Sequence, residues 1–267
     1  MKTVHTIFAA IAIALIFSLP ASAQGLDKSA AEKSGAAQAK SADLRLILNG
    51  YTAYAEEHIG GTLRGLKLLS FTEEVKSGKW AEMKGLLARF DKSGINAAAV
   101  WYARPDGSYY TAGGGLAAHT LADRPYFPAL MAGGDVVGYL VISKSTGARS
   151  FVIAVPVKNN GKVVGALGVS VSAEDMSKTI GEKLGLPENM LFYALDTKGQ
   201  VSLHPSSDLL HVFPSDLGSP TLNNAIKKML SEQEGEVSYE FRGKKNVVYK
   251  RSGLTGWTYA IGVVTGK

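Results

Sequence analysis

The chain has 267 residues, 46% of them hydrophobic and 19% charged, enough for one or two globular cores. It contains no cysteine, which excludes disulfides and cysteine-ligated metals and leaves stability to packing. The formal net charge of +6 is a mild excess, scattered in short pairs such as Lys227-Lys228 and Lys244-Lys245 that read as solvated faces, so no nucleic-acid-binding stripe is expected.

Residues 1–23 pattern as a secretory signal peptide: Lys2, an apolar run from Ile7 to Leu19, and Ala21-Ser22-Ala23 before Gln24. The alternative is an uncleaved anchor, for which the run is short. Cleavage would place the mature protein in the periplasm or outside the cell. Residues 24–40, rich in Ala, Lys and Ser without an apolar stripe, read as a flexible tether or a frayed helix start.

From residue 41 a helical period sets in. Leu44, Ile47, Leu48, Tyr51, Tyr54, Ile59, Leu63 and Leu66 recur at steps of three and four. They predict a long amphipathic helix over roughly 41–70, with Asp43 in its first turn and Gly60-Gly61 marking a bend or a close contact. A shorter helix is expected from Trp80 to Phe90. Together these make a helical region, 41–94.

Beyond Gly94 the period becomes that of strands. A hairpin turns at Pro105-Asp106-Gly107, and a second, over 149–172, at Asn159-Asn160-Gly161. Pro156 cannot donate to a ladder and belongs at an edge or strand end. Glu174 to Leu184 reads as a connecting helix. The plan then recurs: Trp101-Tyr102-Ala103 is echoed by Phe192-Tyr193-Ala194, each followed by a glycine turn (Gly107, Gly199), and residues 235–264 form a closing hairpin. This is an α+β chain, one long helix followed by two tandem antiparallel-sheet modules, 95–183 and 184–267.

The run Asp123-Arg124-Pro125-Tyr126-Phe127, then Ser143-x-x-Thr146-Gly147, Ala154-x-Pro156-Val157 and Gly161-x-x-x-Gly165-x-x-Gly168, resembles the first module of double Cache sensor domains. These are PAS-like extracytoplasmic modules of bacterial chemoreceptors and sensor kinases. Asp196-x-x-Gly199 leading to His204-Pro205 is similar to their membrane-proximal module. The resemblance covers most of residues 41–264. It implies a small ligand, often an amino acid or a carboxylate, held in the first module between the sheet and a loop-helix cap. It also implies a role in signal transduction such as chemotaxis, and homodimerisation through the first helix. Family members usually carry membrane spans and a signalling domain. This chain reaches Lys267 just after its last strand, so a free-standing sensor input is expected, read by a separate membrane receptor or kinase.

Arg124 is the centre of the expected site. A guanidinium is always charged and offers a planar fork of donors matched to a carboxylate. Tyr126 and Phe127 supply walls, and Pro125 favours a helix start whose amino end prefers anions. The competing reading pairs Arg124 with Asp123 or makes Asp123 a helix cap. Trp101, Tyr102, Tyr110 and Tyr139 are further pocket candidates, although strand alternation lets only one of Trp101 and Tyr102 point inward. Ser143 and Ser170 are candidate hydrogen-bond donors. Gly113-Gly114-Gly115 reads as a flexible cap loop within a mobile stretch, 110–145.

The amino-acid-binding subset of the family holds a tryptophan, a tyrosine and two aspartates where this chain has Tyr126, Val141, Ser143 and Ser170. Without those acids a ligand ammonium would lack a counter-charge. An organic acid is therefore expected in preference to an α-amino acid. No cofactor or metal site is expected: His204 and His211 lie seven apart with no acid or cysteine partner, and His119 reads as a loop residue or pH-sensitive contact. An enzyme fits poorly, since no GxSxG, HExxH or cysteine nucleophile is present. The other reading is an envelope interaction protein acting through its long helix.

Overall fold

The structure, a computed structural model, describes residues 21–92, 97–144 and 147–265, with side chains from residue 43 onward. Most of the expected signal peptide, and Thr146 of the Ser-x-x-Thr-Gly motif, lie outside the described residues. The chain divides into two units, 1–42 and 43–267. In the first, the described residues are helical from Ala21 as part of α1 (Ala21–Ser70). The helix thus starts well before residue 41, because Ala, Lys, Gln and Glu form helix whether or not they carry an apolar stripe. Residues 24–40, read as a tether or a frayed helix start, lie inside it.

Within the second unit α1 buries Leu44, Leu48, Tyr51, Ile59 and Leu66, the periodic positions of the sequence. Close contact falls at Gly65, where a Cβ would come within 2.8 Å of the Phe90 ring of α3 (Trp80–Asp91). A short helix, α2 (Glu73–Lys76), links the two.

The first sheet has six antiparallel strands in the order β3-β2-β1-β6-β5-β4: β1 (Ala97–Ala103), β2 (Ser108–Thr111), β3 (Gly115–Thr120), β4 (Val136–Ile142), β5 (Arg149–Asn159) and β6 (Lys162–Ser172). The β5–β6 turn has Asn160 at φ 49° and Gly161 at φ 77°, the paired positive values of a type I′ hairpin that Asn-Gly favours. Pro156 sits where β5 is locally an edge, since β4 pairs only as far as Ala154. The stretch expected as a mobile loop, 110–145, instead carries β3, α4 (Phe127–Met131) and β4. Gly113-Gly114-Gly115 is the β2–β3 turn, with Gly115 at φ 71°.

α5 (Ala173–Leu184) leads into the second sheet, β8-β7-β11-β10-β9, built from β7 (Met190–Leu195), β8 (Val201–Leu203), β9 (Glu234–Glu240), β10 (Lys244–Arg251) and β11 (Thr258–Val264). The expected closing hairpin is therefore a three-stranded meander. Two 3₁₀ turns, Ser207–Leu209 and Pro214–Leu217, and α6 (Pro220–Ser231) lie between β8 and β9.

Matched strand for strand, β2-β1-β6-β5-β4 and β8-β7-β11-β10-β9 are the same order, so the tandem repeat is real at the level of topology. Its register differs by one residue from the sequence echo. Arg104 N–H bonds Ser108 and Gly107 N–H bonds Arg104, just as Asp196 bonds Gln200 and Gly199 bonds Asp196. That match sets Trp101, not Tyr102, opposite Tyr193. A one-residue slip exchanges the faces of a strand, and burial agrees with the match: Trp101 and Ala103 pack on one face of the first sheet, Tyr193 and Leu195 on the corresponding face of the second. The opposite faces, with Tyr102, Phe151, Val169, Phe192, Tyr259 and Ile261, join α1 in the main core.

Candidate ligand site

Strand parity sorts the candidate residues into two groups. β1 places Trp101 on the outer face of the first sheet, and the chain from Leu121 to Met131 covers it. There Trp101, Leu121, Tyr126, Phe127 and Leu130 form one buried cluster, with Tyr139 and Val141 of β4 packed against it. Tyr102 and Tyr110 lie on the other face. The Tyr102 hydroxyl donates to the Val164 carbonyl at 3.0 Å. Tyr110 stacks on Trp80 with ring centroids 4.9 Å apart. Cross-strand partners share a face, and β1–β2 pairs Tyr102 with Tyr110 and Ala103 with Tyr109. The tyrosine of β2 on the Arg124 side is therefore Tyr109, which packs against the Trp101 cluster. That register was the signal available to sequence reasoning.

The glycines of Gly161-x-x-x-Gly165-x-x-Gly168 follow from the same alternation. A Cβ at Gly168 would stand 2.1 Å from the Trp101 ring, and one at Gly165 would stand 2.3 Å from the Tyr102 hydroxyl. Three residues apart on a strand, they clear one aromatic on each face. Ser170, on the Gly168 side, accepts the Trp101 indole N–H at 3.3 Å.

Arg124 is half-buried at the rim of this cluster. Its Nη2 donates to the Ile142 carbonyl at 2.9 Å, which ties the covering segment to the end of β4. Asp123 does not hold it. The Asp123 carboxylate pairs with Lys144, whose hydrogen bond keeps its pKa below the usual carboxylate range. Among the described residues Arg124 forms no ion pair, so a permanent cation with unused donors stands at this segment. Burial raises the Tyr126 phenol to about 12, against the opposing pull of the Arg124 charge. It is a neutral donor at physiological pH. α4 begins at Phe127 and has five residues, too short to serve as an anion site by its own dipole. Ser143 closes the β4–β5 turn, where its N–H bonds the Ala148 carbonyl.

Tyr126 and Tyr139, with centroids 5.3 Å apart, also line a cleft of about 520 Å³ between the modules. Across it stand Asp196, Lys198, Gln200 and Trp257. Lys198 Nζ lies 5.7 Å from the Tyr139 ring centroid. A second cavity, of about 260 Å³, lies within the second module.

In sequence, no protein-family model and no curated protein matches the chain. Solved structures do match in fold. An extracellular ligand-binding receptor from Desulfohalobium retbaense has a TM-score of 0.69 and 13% identity; the match covers 83% of this chain, which spans only 40% of that one. The extracellular domain of a putative histidine kinase has a TM-score of 0.72 and 16% identity, covering 86% of this chain and 95% of its own. The sensory domain of the Campylobacter jejuni chemoreceptor Tlp3, solved with isoleucine bound, has a TM-score of 0.64 and 15% identity, covering 87% and 96%. These neighbours are a ligand-binding receptor, an extracellular domain of a kinase and a sensory domain of a chemoreceptor. Together with the two modules of equal strand order behind one long helix, they show that this chain has the double Cache, PAS-like fold of extracytoplasmic sensor domains.

Proposed function

We propose that the chain is a non-enzymatic sensor module of the cell envelope that binds a small organic acid in its first module and passes the signal to a separate membrane receptor or kinase. The observation that carries this reading is Arg124: a half-buried guanidinium, tied to the Ile142 carbonyl, without an acidic partner among the described residues, and close enough to the buried Tyr126 for its charge to act on the phenol. A carboxylate meets such a fork with two parallel, charge-assisted hydrogen bonds. Ser170 and the Tyr126 phenol are neutral donors nearby. The preference for an organic acid over an amino acid rests on the chemistry of the walls. Val141 and Ser170 carry no charge, and Asp123 is neutralised by Lys144, so a ligand ammonium would be buried without a counter-charge.

The test is a thermal-shift screen of short organic acids, their amides and α-amino acids against wild type and Arg124→Ala. A ligand at a hundredfold excess over its Kd adds about 2.7 kcal/mol of stability. At least one acid should stabilise wild type and not the variant. A screen in which no acid shifts the wild type removes the reading.

A second reading is favoured by Leu46, Leu68 and Phe71, large apolar side chains left about 70% exposed on α1 and just beyond it. They suit a helix-mediated interface, either a homodimer or an envelope partner. Light scattering of wild type against a Leu68→Glu/Phe71→Glu variant tests it: loss of a dimer supports it, and identical monomeric masses remove the homodimer.

A further inference from the structure

The second module offers a cavity on the face that corresponds to the Arg124 face of the first. It lies between Tyr193, Val201 and Tyr239 of the sheet and a cover formed by Leu209, Leu217 and Ile226. Its volume of about 260 Å³ exceeds the ~150 Å³ that houses a benzene, and suits roughly ten non-hydrogen atoms. Most of the lining is hydrocarbon, so the guest must be mainly carbon.

One end is different. Lys245 lines the cavity and is only 7% exposed. Its ammonium donates to the carbonyls of Phe241, Arg242 (3.3 Å) and Gly243 (3.2 Å), which satisfy its protons but not its charge. Among the described residues it forms no ion pair. Arg242 stands close enough to act on it in the same direction as burial, lowering its pKa. The one acid paired with Arg242 is Asp208, at 3.6 Å between two exposed side chains, where solvent screens the pair. Glu188, the carboxylate of the lining, is exposed at the mouth. This end therefore carries a largely buried ammonium that, among the described residues, has no carboxylate paired with it.

Neutral donors stand at the same end. The Tyr239 hydroxyl donates to Tyr193 at 3.4 Å, and the Tyr193 hydroxyl in turn donates to the Met229 sulfur at 3.6 Å, a weak acceptor. His204 accepts the Ser206 N–H on Nδ1 at 2.9 Å. Burial lowers its pKa to about 4, so at neutral pH it is an uncharged imidazole with its proton on Nε2. An anion with a hydrocarbon body answers every part of this lining.

We infer that the second module holds its own ligand site, for a small apolar carboxylic acid bound as the anion, with its carboxylate toward Lys245, Tyr193 and His204 and its hydrocarbon part against Leu209, Leu217 and Ile226. The site is independent of Arg124. It differs from the first in demanding carbon: its cation is a buried ammonium beside the Tyr239 and Phe241 rings, and aliphatic side chains line the rest of the cavity.

Calorimetric titration of the full chain with benzoate and with benzamide, equal in shape but not in charge, tests this, with phenylacetate and hexanoate as further acids. Benzoate should bind at least tenfold more tightly than benzamide. Leu217→Trp, which fills the cavity, should abolish binding, and Arg124→Ala should leave it unchanged. Lys245→Met should erase the preference for acid over amide. Should that variant not fold, Tyr193→Phe removes one donor at constant shape and should weaken benzoate at least threefold. The inference is overturned if none of the acids binds at millimolar concentration, if benzoate and benzamide bind equally, or if binding survives Leu217→Trp. Loss of binding in Arg124→Ala would assign these acids to the first module and overturn the second site alone.

Discussion

The indole Nε1 of Trp257 donates to the Gly138 carbonyl at 3.2 Å, and this bond crosses from the second module to the first. Trp257 is buried, with its ring edge-on to Phe151 at 5.1 Å. Gly138 has φ 77°, and a Cβ there would lie 3.0 Å from the indole. Both the left-handed backbone and the close approach require glycine. Gly138→Ala should cost roughly 1–3 kcal/mol from backbone strain and overpacking. Trp257→Ala should cost about 3–5 kcal/mol. Urea denaturation at unchanged m-value measures both, and losses under 0.5 kcal/mol would show that the junction contributes little.

Gly165 and Gly168 allow the two faces of β6 to be tested separately. Each alanine variant forces an aromatic away from the strand and should destabilise by about 1–3 kcal/mol. Only Gly168→Ala displaces Trp101, so it should weaken acid binding at the Arg124 site, while Gly165→Ala displaces Tyr102 toward the main core and should not. Equal weakening by both variants would place Trp101 outside the site.

Asp123 gives a contrast in charge. Its pair with Lys144 is solvent-exposed, so Asp123→Asn should leave stability nearly unchanged. Removing a negative charge beside Arg124 should leave acid affinity unchanged or raise it, as read by titration calorimetry. A marked loss of affinity would mean that Asp123, rather than Arg124, orders the site.

His204 and His211 are both lowered to about 4, chiefly by burial. In the unfolded chain they titrate near 6.5, so between pH 6.5 and 4 the unfolded state binds more protons. Their contribution to stability is fully present above pH 6.5 and is lost as the pH falls toward 4. The steepest slope is up to about 1.4 kcal/mol per pH unit for each histidine, less for their partial exposure. Melting temperature should therefore fall between pH 6.5 and 5. It should fall less in a His204→Gln/His211→Asn variant; the same fall in that variant would assign the effect to carboxylates.

Where local chemistry decided the structure, the sequence was readable. Asn159-Asn160-Gly161 and Pro105-Asp106-Gly107 set their hairpins, and the three-four stripe from Leu44 set the buried face of α1. β3 and β4 were hidden for separate reasons. β3 is largely exposed and shows no apolar alternation, and β4 is interrupted at Gly138, where its pairing shifts register. Lys245 looked solvated beside Lys244, yet alternation along β10 turns one outward and buries the other. The Trp101 cluster and the Lys245 end of the second cavity are joined by sheet order, across separations that no local pattern reports.

The most direct measurement is titration calorimetry of the best-binding organic acid whose binding survives Leu217→Trp, into wild type and Arg124→Ala side by side. The account predicts submillimolar binding to wild type and a loss of at least a hundredfold in the variant, about 2.7 kcal/mol, with the melting temperature of the free protein nearly unchanged. Equal affinity for both proteins would contradict it.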